Sequence, residues 1–165
     1  MPSRKKQATN PAQIKISSPE LVRLIFVRDE SAEDITSWGN IQMQFQVGVA
    51  RLGMHRIGIE LQVELKDLPA TECKVAYRAG FAIQQSEKKT ENQAIEKDLR
   101  DIVLLLAPAT LYPFLREAVA STAARASLPP LVLPLVNFRV LFRDLEVVIP
   151  PYTSEVSMMD DDSGS

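Results

Sequence analysis

The chain has 165 residues, 45% of them hydrophobic and 24% charged, with a formal net charge of −2. That length and apolar content suffice for a single domain with a real core, and the near-neutral charge excludes bulk attraction to nucleic acid. A single cysteine, Cys73, excludes an intrachain disulfide and matches a reducing cytoplasm.

Residues 1–13 are polar and hold two prolines, so a disordered tail is expected there. The opening MPSRKK lacks the apolar stretch of a secretory signal. Glu20–Arg28 reads as a strand with two apolar faces, Leu21, Ile25 and Val27 on one and Val22, Leu24 and Phe26 on the other. A polar connection over 29–40 then carries one aromatic, Trp38. Ile41, Met43, Phe45, Val47 and Val49 alternate with polar or small residues, the period of a half-buried strand. After a break near Leu52–Arg56 the alternation resumes with Ile57, Ile59, Leu61, Val63 and Leu65. Asp67 and Pro69 supply turn chemistry. A further strand carries Cys73, Val75, Tyr77, Ala79, Phe81 and Ile83 on one face.

From residue 84 the period changes. A polar lead-in is followed by Ile95, Leu99, Ile102, Val103 and Leu106 at helical spacing, with Pro108 expected to kink or end that helix. A second helix is expected over 109–126, with Pro113 tolerated in its first turns. Leu128–Pro134 reads as an extended apolar loop, because each residue before a proline is pushed out of the helical region. Asn137 N-caps a closing helix from Phe138 to about Glu146. Residues 150–165 read as a flexible acidic tail, ending in Asp160, Asp161 and Asp162. Strands first and helices second give an α+β domain over 14–149, an antiparallel meander with helices on one face. No stretch is long enough to span a bilayer.

The sequence offers little catalytic chemistry. One Cys and one His, His55, cannot form the usual zinc site. Cys73 lies on an apolar strand face, and Glu60 and Glu64 lie on a polar one. No phosphate-binding loop or nucleophile elbow is present. No catalytic residue, metal ligand or cofactor is assigned, and the chain does not read as an enzyme. What stands out is surplus hydrophobicity, above all LPPLVLPLVNFRVLF over Leu128–Phe142. Such a patch serves either an oligomer interface or a groove for another chain.

The same region resembles the signature of the SecB protein-export chaperones. The family's aromatic–Pro–aromatic-x-Arg-Glu segment is matched by Tyr112-Pro113-Phe114 with Arg116-Glu117. Its Arg and Leu-Pro loop is matched by Arg125, Leu128-Pro129, Leu131 and Leu133, and its VNF by Val136-Asn137-Phe138. Trp38 and Cys73 extend the match upstream. The resemblance covers roughly residues 14–146 and is strongest in the last third.

The resemblance implies a four-stranded antiparallel sheet with helices on one side, assembled as a homotetramer, a dimer of dimers. It implies an ATP-independent holdase that keeps unfolded polypeptides or preproteins competent for export. Leu24, Phe26, Trp38, Leu128, Leu131, Leu133, Phe138 and Phe142 are the implied client contacts. The loop and last helix are expected on one side of the groove and the Trp38 connection on the other. Glu20 and the acidic tail are the implied docking points for the motor SecA. Lys74 stands where that docking face carries an acid in the family, a charge reversal unfavourable for such a partner. The alternative is a SecB-like chaperone of a toxin–antitoxin system, with an antitoxin as client. Substituting Leu131 and Leu133 by Asp is expected to weaken client binding and spare the oligomer.

Overall fold

The computed structural model describes residues 13–29, 35–84 and 92–152. Most of the expected N-terminal tail, most of the polar lead-in and nearly all of the acidic tail lie outside the described residues.

Five strands form one antiparallel sheet: β1 (Gln13–Ile16), β2 (Glu20–Arg28), β3 (Gln42–Gly53), β4 (Arg56–Lys66) and β5 (Thr71–Gln84). The order is β1-β5-β4-β3, with β2 also pairing β5. β1 opposes residues 81–84 of β5 and β2 opposes 71–78, so the two share one edge. The sheet therefore has four lanes, one of them broken at Ser17-Ser18-Pro19. At the break the Ser17 N–H donates to the Gly80 carbonyl at 2.9 Å, and the Gly80 N–H donates to Ser17 Oγ at 2.8 Å. Gln13 thus opens a strand that the composition of the tail had concealed.

The alternation of β4 and β5 is realised as one core face. Ile57, Ile59, Leu61, Val63, Cys73 and Val75 are fully buried beneath the helices. The β2 reading needs one correction. A bulge between Leu21 and Arg23 shifts the register, so Leu21 opposes Tyr77 and lies on the same face as Leu24 and Phe26. An inserted residue flips every side chain beyond it.

Across the outer face, Gln46, Gln62, Ala76 and Arg23 stand in register. The small Ala76 lets Arg23 Nη1 reach over it to donate to Gln62 Oε1 at 2.7 Å, and Gln62 Nε2 donates on to Gln46 Oε1 at 3.1 Å. The row satisfies Gln62, which is buried.

The helical half differs from the expectation at both prolines. Helix α1 (Asn92–Asp101) passes through a π-helical segment, Ile102–Leu106, directly into α2 (Ala107–Arg125). Pro108 does not end the helix. In α geometry its ring would meet the Leu104 carbonyl; the wider π turn before it, in which the Ala107 N–H donates to the Ile102 carbonyl, absorbs the ring. Pro113 is consequently interior to α2. It and Ala109, whose carbonyl it deprives of a partner, are both exposed, so water can serve that carbonyl. Within the joined helix, the 31 residues Ile95–Arg125 are by length and composition long and apolar enough to cross a membrane. Its buried side chains, among them Leu99, Ile102, Val103, Leu111, Leu115 and Val119, belong to the core of the domain.

α2 ends in a Schellman turn. The Leu128 N–H donates to the Ala123 carbonyl and the Ser127 N–H to the Ala124 carbonyl, with Ser127 at φ 54°. Asn137 does cap the closing helix, accepting from the Val140 N–H at 3.3 Å. That helix, α3, is only Phe138–Leu141. The β-branched Val147, Val148 and Ile149 and the Pro150-Pro151 pair favour extended chain beyond it.

Cys73 is buried, and burial pushes its thiol up to about 11. At neutral pH its thiolate fraction is lower than that of a thiol at 9 by roughly 100-fold. An exposed-thiol reagent such as dithionitrobenzoate is expected to react with Cys73 at least that much more slowly in the native chain than in denaturant. Equal rates would place Cys73 outside the core.

Candidate functional site

The region of interest is built on the loop from Leu128 to Asn137. It forms no regular secondary structure, and three donors hold its carbonyls. Trp38 Nε1 donates to Pro129 O at 2.9 Å, Arg116 Nε to Leu133 O at 2.9 Å, and Tyr112 Oη to Pro134 O at 2.6 Å. Proline supplies no N–H, so a loop with prolines at 129, 130 and 134 has fewer donors to satisfy. Its acceptors are met by side chains from α2 and from the connection before β3. The Arg116 and Tyr112 of the family-like motif thus have a local physical task, which is to pin the loop along α2.

Pinned in this way, the loop alternates from Leu131 to Pro134 and then turns Leu135 outward as well. Leu131 and Leu133 are fully buried, while Val132 is 61% exposed and Leu135 86%. Below it lies an aromatic cluster. Phe45 meets Tyr112 and Phe138 edge-on at 5.8 and 5.6 Å, and Phe138 packs against Phe142 at 5.4 Å. Such geometry is worth about 0.5–1.5 kcal/mol per pair beyond the buried area.

The eight residues expected to touch clients therefore divide. Trp38, Leu128, Leu131, Leu133, Phe138 and Phe142 belong to the core in this conformation. Phe26 is half-buried, and Leu24 is exposed. Trp38 closes onto the loop instead of facing it across a channel. The exposed apolar surface of this region is supplied by side chains that were not among the expected client contacts: Val132, Leu135, Val140, Leu141, Leu145 and Val148. Two of these, Val132 and Leu141, adjoin expected residues in the sequence, Leu131 and Leu133 for the first and Phe142 for the second.

Beside this surface runs a groove of about 400 Å³ between β3 and the C-terminal segment, with Phe45, Val47 and Val49 on one wall and Phe142, Leu145, Val147 and Val148 on the other. β3 pairs only with β4 among the described residues, leaving one edge of backbone donors and acceptors open. Over Gln42–Ala50 that edge carries no charge and no proline, the devices by which edge strands are normally protected.

The outer sheet face carries Glu20, Glu60, Glu64 and Glu72 interleaved with Arg23, Lys66, Lys74 and Arg78. Glu20 is an exposed partner of Arg78 at 3.4 Å. Lys74 bridges Glu64 at 3.4 Å and Glu72 at 3.3 Å. The hydrogen bond from Lys66, then that from Lys74, holds the Glu64 carboxyl below the usual range against partial desolvation. The face is compensated, with no excess of acid. No group of three or more His, Cys, Asp or Glu able to hold a metal occurs among the described residues.

The family model described as preprotein translocase subunit SecB matches residues 19–146. A protein-export protein SecB from Ehrlichia canis is 33% identical over 70 residues, 42% of this chain and 40% of that protein. Another from Afipia carboxidovorans is 28% identical over 140 residues, 83% of this chain and 84% of that protein. The chain spans about half the length of several such relatives, from Ehrlichia and Anaplasma. Among solved structures, a SecB-like chaperone from Mycobacterium tuberculosis, in complex with a peptide from an antitoxin, matches with a TM-score of 0.59 at 17% identity. The alignment covers 75% of this chain and 88% of that one.

Proposed function

This chain belongs to the SecB family, and from that premise we propose that it is an ATP-independent holdase for non-native polypeptides. The observation that carries the reading is the set of exposed apolar side chains between Val132 and Val148, together with an open strand edge and a groove whose walls carry apolar side chains along with Gln46 and Glu146. Apolar pockets take alternate side chains of an extended client, and the β3 edge offers main-chain hydrogen bonds that are indifferent to sequence. On this reading the chain works as a chaperone in the cytoplasm, and no step of client capture requires a nucleotide.

The working unit is a homotetramer, a dimer of dimers. Ile14, Ile16, Leu21 and Leu24 expose an apolar strip on the helix side of the β1/β2 edge, with Phe114 of α2 against Tyr77 beside it. A second copy pairing at that edge would cover the strip, which accounts for Leu24 better than client contact does.

Two pathways use such an activity. Export would dock the chain through Glu20 and the acidic tail to the motor SecA. The compensated outer face, with Lys74 clamped between two glutamates, favours the second, a SecB-like chaperone dedicated to an antitoxin. The test is light scattering from an aggregation-prone protein diluted out of denaturant, without nucleotide. Suppression near one tetramer per client is expected, and unchanged scattering would leave the loop as a structural interface. Pull-downs with SecA and with antitoxin peptides then separate the pathways.

A further inference from the structure

One wall of the groove is the chain's own C-terminal segment. Val147 and Ile149 pack against the core while Val148, between them, is 84% exposed, so Leu145–Ile149 is an extended stretch laid against Phe45, Val47 and Val49 of β3. It has the character a bound client segment would have: apolar, extended, alternate side chains inward. Yet among the described residues no backbone hydrogen bond joins it to β3. Its nearest such bond is local, from the Leu145 N–H to the Phe142 carbonyl at 3.2 Å. Pro150 and Pro151 follow, and neither has an N–H with which to extend a ladder. The segment is therefore held by side-chain burial alone, next to a strand edge whose donors and acceptors are open. An incoming strand that pairs with β3 gains the ladder the segment lacks.

We propose that Leu145–Ile149 is an intramolecular strap that walls off the β3 groove in place of client and is displaced when client binds. This rests on the holdase reading above and adds regulation to it. With the strap in place only a fraction of molecules is competent, so the observed affinity is the intrinsic one reduced by that fraction. Loosening the strap should then tighten binding, whereas loosening a fixed wall of a binding site should weaken it. The two roles predict opposite signs.

The test uses the full chain and a reduced, carboxymethylated lactalbumin that stays unfolded. Val147→Ser removes apolar contact from the strap without touching β3, and its dissociation constant is expected to fall by roughly 3- to 10-fold. An unchanged or larger constant overturns the strap. A second measurement does not depend on how well that variant folds. Val148→Cys, at an exposed position, takes a nitroxide label selectively because Cys73 is buried. Saturating client is expected to raise the label's mobility; unchanged or reduced mobility means the client adds over a fixed wall, and the strap is rejected. If the unsubstituted chain binds no client at all, the holdase reading falls and the strap with it. If it binds and either variant fails to behave as stated, only the strap falls.

Discussion

Substituting Leu131 and Leu133 together by Asp is expected to unfold the protein, and not merely to weaken its hold on clients as the sequence alone suggests. Both side chains are fully buried. Removing a buried leucine side chain costs about 2–5 kcal/mol each, and an unpaired carboxylate in the same place adds a desolvation cost of similar or larger size. The sum matches or exceeds the roughly 5–15 kcal/mol that holds a domain of this size together. Circular dichroism and a urea titration should show loss of the cooperative transition. A native-like transition with an intact oligomer would mean that the loop is exposed in solution.

The complementary substitution takes the outward-facing residues of the same loop. Val132→Asp with Leu135→Asp is expected to leave the urea midpoint nearly unchanged, because both side chains project into solvent. It removes two apolar contacts from the proposed client surface, each worth about 1.5 kcal/mol or more when fully covered. At about 1.4 kcal/mol per tenfold, client affinity should drop by at least roughly tenfold in an anisotropy titration with the unfolded lactalbumin. Unchanged affinity would remove the loop from the client surface and leave the β3 groove as the remaining candidate. The pair of double substitutions is informative as a pair. The same chemistry at inward-facing and outward-facing positions should destroy the fold in one case and the function in the other.

Much of this protein is determined by local pattern. The alternation at Ile41–Val49, Ile57–Leu65 and Cys73–Ile83 specifies strands with one buried face, because side chains of an extended backbone point to opposite sides in turn. Helical spacing from Ile95 and the Asn137 cap are equally local, as is the Tyr112-to-Phe138 motif that identifies the family. Other features required the assembled structure. β1 is short, and its strand character comes from the partner residues 81–84 of β5. The bulge at Val22 is imposed by pairing with β5, and it reverses the face of Leu21. Pro108 reads as a helix kink or end; a π turn and the burial of both flanking segments against the sheet carry the helix through it. The loop is the clearest case. When an extended segment is apolar at nearly every position, no polar face marks its outside. Only the three side-chain donors, Trp38, Tyr112 and Arg116, which hold its carbonyls in one register, decide that Leu131 and Leu133 turn inward and Val132 and Leu135 outward.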